Sequence, residues 1–300
     1  MALPKTSNFL SQFVLPLTLT TGALSCYAQE SPCNNDDIDW GQEMEGEVMC
    51  IDGQEARVFK PEGWGSDGDG DGIPDGFNAW YVLHGSSGAF LDKEGKVIAN
   101  DVRLLTQTLM SDPSQNNMVI VVDQYSPRGY FPHQGSDPED KPSRKERLKD
   151  ISSLIEFARG DLDFVTNGKV GIIGNSQGGE VATMHALGHI EGVRADFYMS
   201  FYGGCGYREE GSKNQAPLVI ASSDPNKDEV VRYCPELKEN IEANEGIDFD
   251  FKMYPGAQHG FLRADDDPKW NVEDLYAQDG ALNLLMRRAD EFMGTDYGVV

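Results

Sequence analysis

The chain has 300 residues, of which 25 are basic and 50 acidic, for a formal net charge of −25. That length suits one α/β domain of ordinary size. The charge repels nucleic acid and anionic lipid surfaces, so no nucleic-acid partner is expected, and it argues against a polyanionic substrate unless calcium screens the site.

Residues 1–28 read as a targeting segment. Lys5 is the sole charge there, Phe9 to Ala23 is largely apolar but broken by polar residues and Pro16, and Ala28 offers a small residue before a cut ahead of Gln29. The apolar run is too short and too interrupted for a membrane span. Soluble release into the periplasm or the medium is therefore expected. Lipid attachment at Cys26 is the lesser alternative, because Ala23 stands where the lipobox usually has Leu. Removal of the segment leaves 25 − 1 = 24 basic and 50 acidic side chains, a net charge of −26.

Cys33, Cys50, Cys205 and Cys234 remain, an even number in an exported chain. Cys33–Cys50 and Cys205–Cys234 are the expected disulfides, since each closes a short local loop. Residues 29–50 are acidic and show no periodicity. Ala56 to Pro61 alternates like a strand.

Asp67-Gly68-Asp69-Gly70-Asp71-Gly72-Ile73-Pro74-Asp75 then follows, with carboxylates at relative positions 1, 3, 5 and 9, Gly at 6 and a main-chain carbonyl at 7. This matches the start of an EF-hand calcium loop and resembles the repeats of thrombospondin type 3 and dockerin modules. Asn78 stands at position 12 in place of the bidentate Glu. A weak structural calcium held by Asp67, Asp69, Asp71, Ile73 and Asp75 is expected, against the plainer reading of a solvated Gly/Asp turn. No organic cofactor is implied.

Trp80 to Leu83 is a buried-strand run ending in His84-Gly85-Ser86-Ser87-Gly88. Met118 to Val122 is another, ending in Asp123-Gln124-Tyr125-Ser126-Pro127-Arg128-Gly129, with a helix between them over 102–109. Residues 132–147 look like an exposed loop. Leu148, Ile151, Leu154, Ile155, Ala158 and Leu162 recur at helical spacing. Lys169 to Ile173 is a strand that breaks into Gly174-Asn175-Ser176-Gln177-Gly178-Gly179, followed by a helix from Glu180. Further strands are expected at 197–202, 216–221 and 247–254, and a last helix at 274–293. Apolar strands alternating with helices imply a mostly parallel sheet covered on both faces, in one domain over 29–300.

His84, Ser176, Asp224 and His259 all fall just after expected strands, where open α/β sheets gather their functional groups. Ser176, Asp224 and His259 stand in the order nucleophile, acid, base, with gaps of 48 and 35 residues, an order characteristic of α/β-hydrolases. Asp224 is favoured as the acid because it directly follows its strand; Asp228, four residues on, is the alternative. The main-chain N–H of Gln177 supplies one oxyanion donor and that of Ser86 the second, with Ser87 in reserve. His185 and His189 read as packing or surface residues, His133 as incidental, and His84 as a residue that shapes the oxyanion loop. Tyr125, Tyr130, Phe131, Tyr202 and Tyr207 either line an aromatic cleft or pack the loop bases. Arg128 reads as a loop brace through carboxylates.

Four segments, Gly-Asn-Ser-Gln-Gly-Gly, His-Gly-Ser-Ser-Gly, Asp-Gln-Tyr-Ser-Pro-Arg-Gly and Tyr-Pro-Gly-Ala-Gln-His-Gly-Phe, together resemble the dienelactone hydrolase family from about residue 54 to 293. Ser176 stands where dienelactone hydrolases proper have Cys. The resemblance therefore implies the α/β-hydrolase fold and a Ser-His-Asp triad, and points to a broader esterase acting on a small or polymeric ester. Two other readings compete. A prolyl oligopeptidase-type peptidase shares the elbow and the triad order, though this chain has no room for the usual propeller. A non-catalytic, calcium-dependent binding protein on the same scaffold is the third.

Overall fold

The structure is a computed structural model and describes residues 46–51, 53–61, 77–91, 97–111, 115–160, 168–207, 216–243, 248–264 and 269–293. The expected targeting segment, Cys33 and the Asp67–Asp75 loop lie outside the described residues.

Eight strands form one sheet in the order β1-β2-β4-β3-β5-β6-β7-β8. They are β1 Glu47–Ile51, β2 Gln54–Phe59, β3 Asn78–Leu83, β4 Asn117–Asp123, β5 Val170–Asn175, β6 Phe197–Phe201, β7 Leu218–Ser222 and β8 Phe249–Met253. The β1–β2 and β2–β4 pairs are antiparallel and all others parallel. This is the mostly parallel sheet of an α/β-hydrolase fold.

Five α-helices accompany it: α1 Asn100–Met110, α2 Arg144–Gly160, α3 Gln177–Ala186, α4 Cys234–Glu242 and α5 Val272–Met293. Every residue of β3 through β7 is buried, so both faces of the central sheet are covered. α1 packs with α5, and α2 with α3. Two polar tips inside this core are satisfied: Trp80 Nε1 donates to Asn117 Oδ1 at 2.9 Å, and Tyr81 OH to the Leu154 carbonyl at 2.8 Å. No helix among the described residues is long and apolar enough to cross a membrane.

Three local readings change. Residues 47–51 form an edge strand, whose mainly solvent-facing side chains hide the alternation that marks a strand. α4 escapes notice because only Cys234, Leu237 and Ile241 on it are buried. Residues 132–147 do not form a uniformly exposed loop: they hold two single 3₁₀ turns and the first turn of α2, where Arg147 is wholly buried.

Cys205 and Cys234 are joined as expected, tying the loop after β6 to the start of α4. Cross-links of this loop length stabilise by about 3 kcal/mol. Cys50 is disulfide-bonded as well; its expected partner, Cys33, lies outside the described residues.

His185 is a packing residue, its Nδ1 2.7 Å from Tyr198 OH and its Nε2 3.0 Å from Ser152 Oγ. Burial first, and the Arg194 charge second, push it down from 6.5 to about 3. Below pH 6.5 the unfolded chain takes a proton at this position that the folded chain refuses until about pH 3. Stability is therefore full above that window and falls as pH drops through it. One such group contributes a slope of up to ~1.4 kcal/mol per pH unit. His185→Gln is expected to flatten the acid decline of the urea midpoint between roughly pH 6 and pH 4 by about one proton's worth. An unchanged slope would show that His185 carries none of it.

Candidate active site

The parallel strands end on a common rim, where Ser176, His259, Asp228 and the loop after β3 come together. Ser176 sits between β5 and α3 with φ 51° and ψ −120°, an unfavourable conformation for a residue bearing a Cβ. The turn is held by close packing. A Cβ on Gly174 would lie 2.5 Å from the Gly178 carbonyl carbon, and one on Gly178 would lie 2.3 Å from the Leu83 carbonyl oxygen. The chain can therefore pass from β5 into α3 against the end of β3 only with glycine at both points. Beneath the turn, Asn175 donates from Nδ2 to Asp101 Oδ2 at 2.6 Å. Burial raises the Asp101 carboxyl above its ordinary range despite the nearby Arg263 guanidinium.

Ser176 Oγ lies 2.9 Å from His259 Nε2. His259 Nδ1 lies 2.8 Å from Oδ2 of Asp228. His259 thus meets Asp228, the alternative, and not Asp224, the residue favoured as the acid. Asp224 spends its carboxylate elsewhere, accepting from the Gly256 N–H (2.8 Å), the Asn226 N–H (2.8 Å) and Asn226 Nδ2 (3.0 Å). Its main-chain carbonyl accepts from the Asp228 N–H at 2.8 Å. Asp224 therefore starts the turn that brings Asp228 back over the strand end, and at the same time pins the loop leading to His259.

Asp228 is buried and fully engaged. Oδ2 also accepts from Ser223 Oγ at 2.5 Å, and Oδ1 from the Val230 N–H at 2.9 Å. Burial pushes its carboxyl up, but the hydrogen bonds from His259 and Ser223 outweigh it, so the group ends below the usual carboxylate range. His259 is held from a further side by Asp274 at the start of α5, which accepts from the Gln258 N–H at 2.6 Å. Tyr202 lies edge-on to the His259 ring, with centroids 5.1 Å apart. Ser176, Gln177 and His259 are half-buried and open to a substrate, while Asp228 is closed off.

The loop after β3 presses on Ser176: a Cβ on Gly85 would sit 3.1 Å from Ser176 Cβ. His84 is buried, and burial together with Arg147 pushes its ring well below the ordinary value, so it is neutral. Its Nε2 accepts from the Gln124 N–H at 3.2 Å, which leaves Nδ1 to donate to the Gly85 carbonyl at 2.7 Å. In a trans peptide the C=O and N–H point opposite ways. Fixing the Gly85 carbonyl therefore fixes the direction of the Ser86 N–H, and His84 shapes this loop without being placed to transfer protons. Gln177 is the first residue of α3, where main-chain N–H groups are unpaired within the helix.

Tyr125, Tyr130 and Tyr202 are buried packing residues, whereas Phe131 and Tyr207 are half-buried and His133 is exposed. Arg128 braces its loop as expected, with both terminal nitrogens on Asp150 at 3.0 and 2.6 Å. No group of three or more metal-holding side chains occurs among the described residues.

The family model for the dienelactone hydrolase family matches residues 134–294, more than half of the chain. No curated protein sequence matches. Among solved structures, Thermogutta terrifontis esterase 2 phosphonylated by sarin superposes with a TM-score of 0.58 at 14% identity, covering 85% of this chain and 98% of that one. Carboxyl esterase 2 of the mycorrhizal fungus Tuber melanosporum gives 0.57 at 13% identity, covering 84% and 88%. XC6422 from Xanthomonas campestris, an α/β serine hydrolase without a lid, gives 0.52 at 19% identity, covering 82% and 96%. At these identities the likeness is one of fold.

Proposed function

The chain belongs to the dienelactone hydrolase family, and from that membership and the bonding of its strand-end residues we propose that it is an exported serine esterase, hydrolysing carboxylic esters through an acyl-enzyme. The observation that carries this reading is the continuous run from Ser176 Oγ through His259 to Asp228, at 2.9 and 2.8 Å.

A serine hydroxyl is a weak nucleophile until a base accepts its proton. His259 Nε2 takes that proton as Oγ attacks the ester carbonyl. Asp228 keeps Nδ1 protonated and balances the imidazolium. The carbonyl oxygen becomes an oxyanion facing the N–H groups of Gln177 and Ser86. His259 then protonates the leaving alcohol, and the acyl-enzyme forms. Water enters, His259 accepts its proton, and a second tetrahedral intermediate collapses to release the acid and restore Ser176. Each step moves one proton between Oγ, water or alcohol and Nε2, and no metal or organic cofactor is required. The buried Cys205–Cys234 disulfide supports the exported setting.

A structural neighbour carries a phosphonyl group from sarin, so a fluorophosphonate is a suitable probe. Stoichiometric labelling, mapped to Ser176 by peptide mass, should run in parallel with loss of p-nitrophenyl acetate hydrolysis. A panel of acyl chain lengths with feruloyl, acetyl-sugar and polyester substrates would then rank the acyl group, and proline-containing peptide amides should be poor substrates. Efficient peptide cleavage with negligible ester turnover would replace the esterase by the peptidase reading, and an unlabelled Ser176 would remove both.

A further inference from the structure

Arg147 is a wholly buried cation in the first turn of α2, and the steps above give it no role. Its guanidinium donates from Nε to Gln124 Oε1 at 2.7 Å, from one terminal nitrogen to Gln177 Oε1 at 3.2 Å, and from the other to the His84 main-chain carbonyl at 2.7 Å. Among the described residues, no carboxylate forms an ion pair with it. The acidic groups nearby are engaged elsewhere: Asp150 by Arg128, Glu180 by Arg144, and Asp123 by the N–H groups of Tyr125 and Ser126. A buried charge bonded only to neutral acceptors is costly to maintain. A planar fork that must reach three acceptors in fixed directions is, however, what arginine supplies and lysine does not.

The positions of those acceptors give the arrangement its meaning. Gln177 follows the nucleophile and carries one oxyanion N–H. His84 begins the loop that carries the other, and its ring fixes the very next peptide by donating to the Gly85 carbonyl. Tyr125 OH meets the same Gln177 oxygen at 2.5 Å, and the Arg147 guanidinium lies over the Tyr125 ring. One side chain thus bonds both halves of the oxyanion site from behind. We propose that Arg147 is the positioning residue that sets the separation and direction of the Gln177 and Ser86 N–H donors. This rests on the serine esterase reading.

The test uses Arg147→Met, Arg147→Lys and Gln177→Leu in the full chain, with kcat, KM and the Ki of a trifluoromethyl ketone that forms a hemiketal oxyanion on serine. Loss of a whole oxyanion donor costs 10²–10³ in kcat, so loss of its alignment is expected to cost about 10- to 100-fold in Arg147→Met, with KM within about twofold. The ketone's Ki should rise in step with the fall in kcat/KM. Lysine cannot reach Gln177 and His84 together, so Arg147→Lys should lose at least about tenfold in kcat while remaining folded. That variant decides the matter if the methionine protein does not fold. Gln177→Leu should move the same two quantities, and the double variant should lose less than the product of the single losses.

Retention of kcat and of ketone affinity in Arg147→Lys would overturn the proposal, as would a loss confined to KM or to thermal stability. A wild-type protein that neither hydrolyses esters nor labels at Ser176 would overturn the functional reading instead.

Discussion

Ser176→Ala is expected to lower ester turnover by about a millionfold, the scale on which removal of the nucleophile of such an array acts, without measurable loss of fold. The two halves of this expectation have separate physical grounds. Oγ meets His259 Nε2, and without it no acyl-enzyme forms, so only water activated by His259 beside the oxyanion donors remains. The backbone, by contrast, hardly notices. Position 176 holds φ 51° whether it carries Ser or Ala, because both bear a Cβ. The helix behind it is anchored by the Ser176 carbonyl, which accepts from the Glu180 N–H at 2.9 Å and survives the change. Thermal midpoints should therefore agree within about a degree, equivalent to a few tenths of a kcal/mol. Ser176→Gly separates the effects further: it should be as inactive as the alanine protein yet no less stable, since glycine tolerates positive φ. Turnover at the wild-type level in purified Ser176→Ala, with no contaminating fluorophosphonate-reactive protein, would refute the nucleophile assignment.

Much of the fold was legible because its strong signals are local. Runs such as Val119–Val122 and Leu218–Ala221 are apolar throughout, as strands buried on both faces must be, and a tight glycine-flanked turn at Ser176 announces itself without tertiary information. What failed was set by partners distant in the chain. The carboxylate that meets His259 is the clearest case. β7 ends at Ser222, and proximity to the strand end favoured Asp224. Asp224, however, opens a turn whose hydrogen bond from the Asp228 N–H reverses the chain, so the residue four places on returns to the rim. Arg147 shows the same limit. It continues the buried stripe of Ile151, Leu154 and Ala158 by one helical turn, so a periodicity signal was present. A charged residue at such a position nevertheless reads as solvated unless its acceptors are visible, and Gln124, Gln177 and His84 lie on three other segments. Asp274, which holds the His259 loop from 15 residues further along, was marked locally only as the partner of Asn271 in the reciprocal cap that opens α5.

Asp228→Asn and Asp224→Asn should part company sharply, although the two changes are chemically the same. At Asp228 the amide leaves the shape intact but can present N–H to His259 Nδ1, which favours the wrong ring tautomer and removes the charge that balances the imidazolium. About a ten-thousandfold loss in kcat is the expected scale. At Asp224 the amide oxygen can still accept the Gly256 or Asn226 N–H, and nothing there touches His259, so the loss should be within about tenfold and should follow loop order through a stability change of about 1 kcal/mol.

Acid pH adds a second signature. The Asp228 carboxyl is held below its unfolded value, so its stabilising contribution is complete above the ordinary aspartate range. That contribution is lost as pH falls through the lower folded value. The Asn protein lacks this term, and its stability should therefore decline less steeply than wild type below about pH 4. Asp224 is also held below its ordinary range, first by the Gly256 N–H and then by Asn226, so acid stability alone does not separate the two positions. Turnover does. An Asp224→Asn protein that is inactive beside an active Asp228→Asn protein would require His259 to turn toward the strand end when substrate binds, exchanging the 2.8 Å contact with Asp228 for one with Asp224.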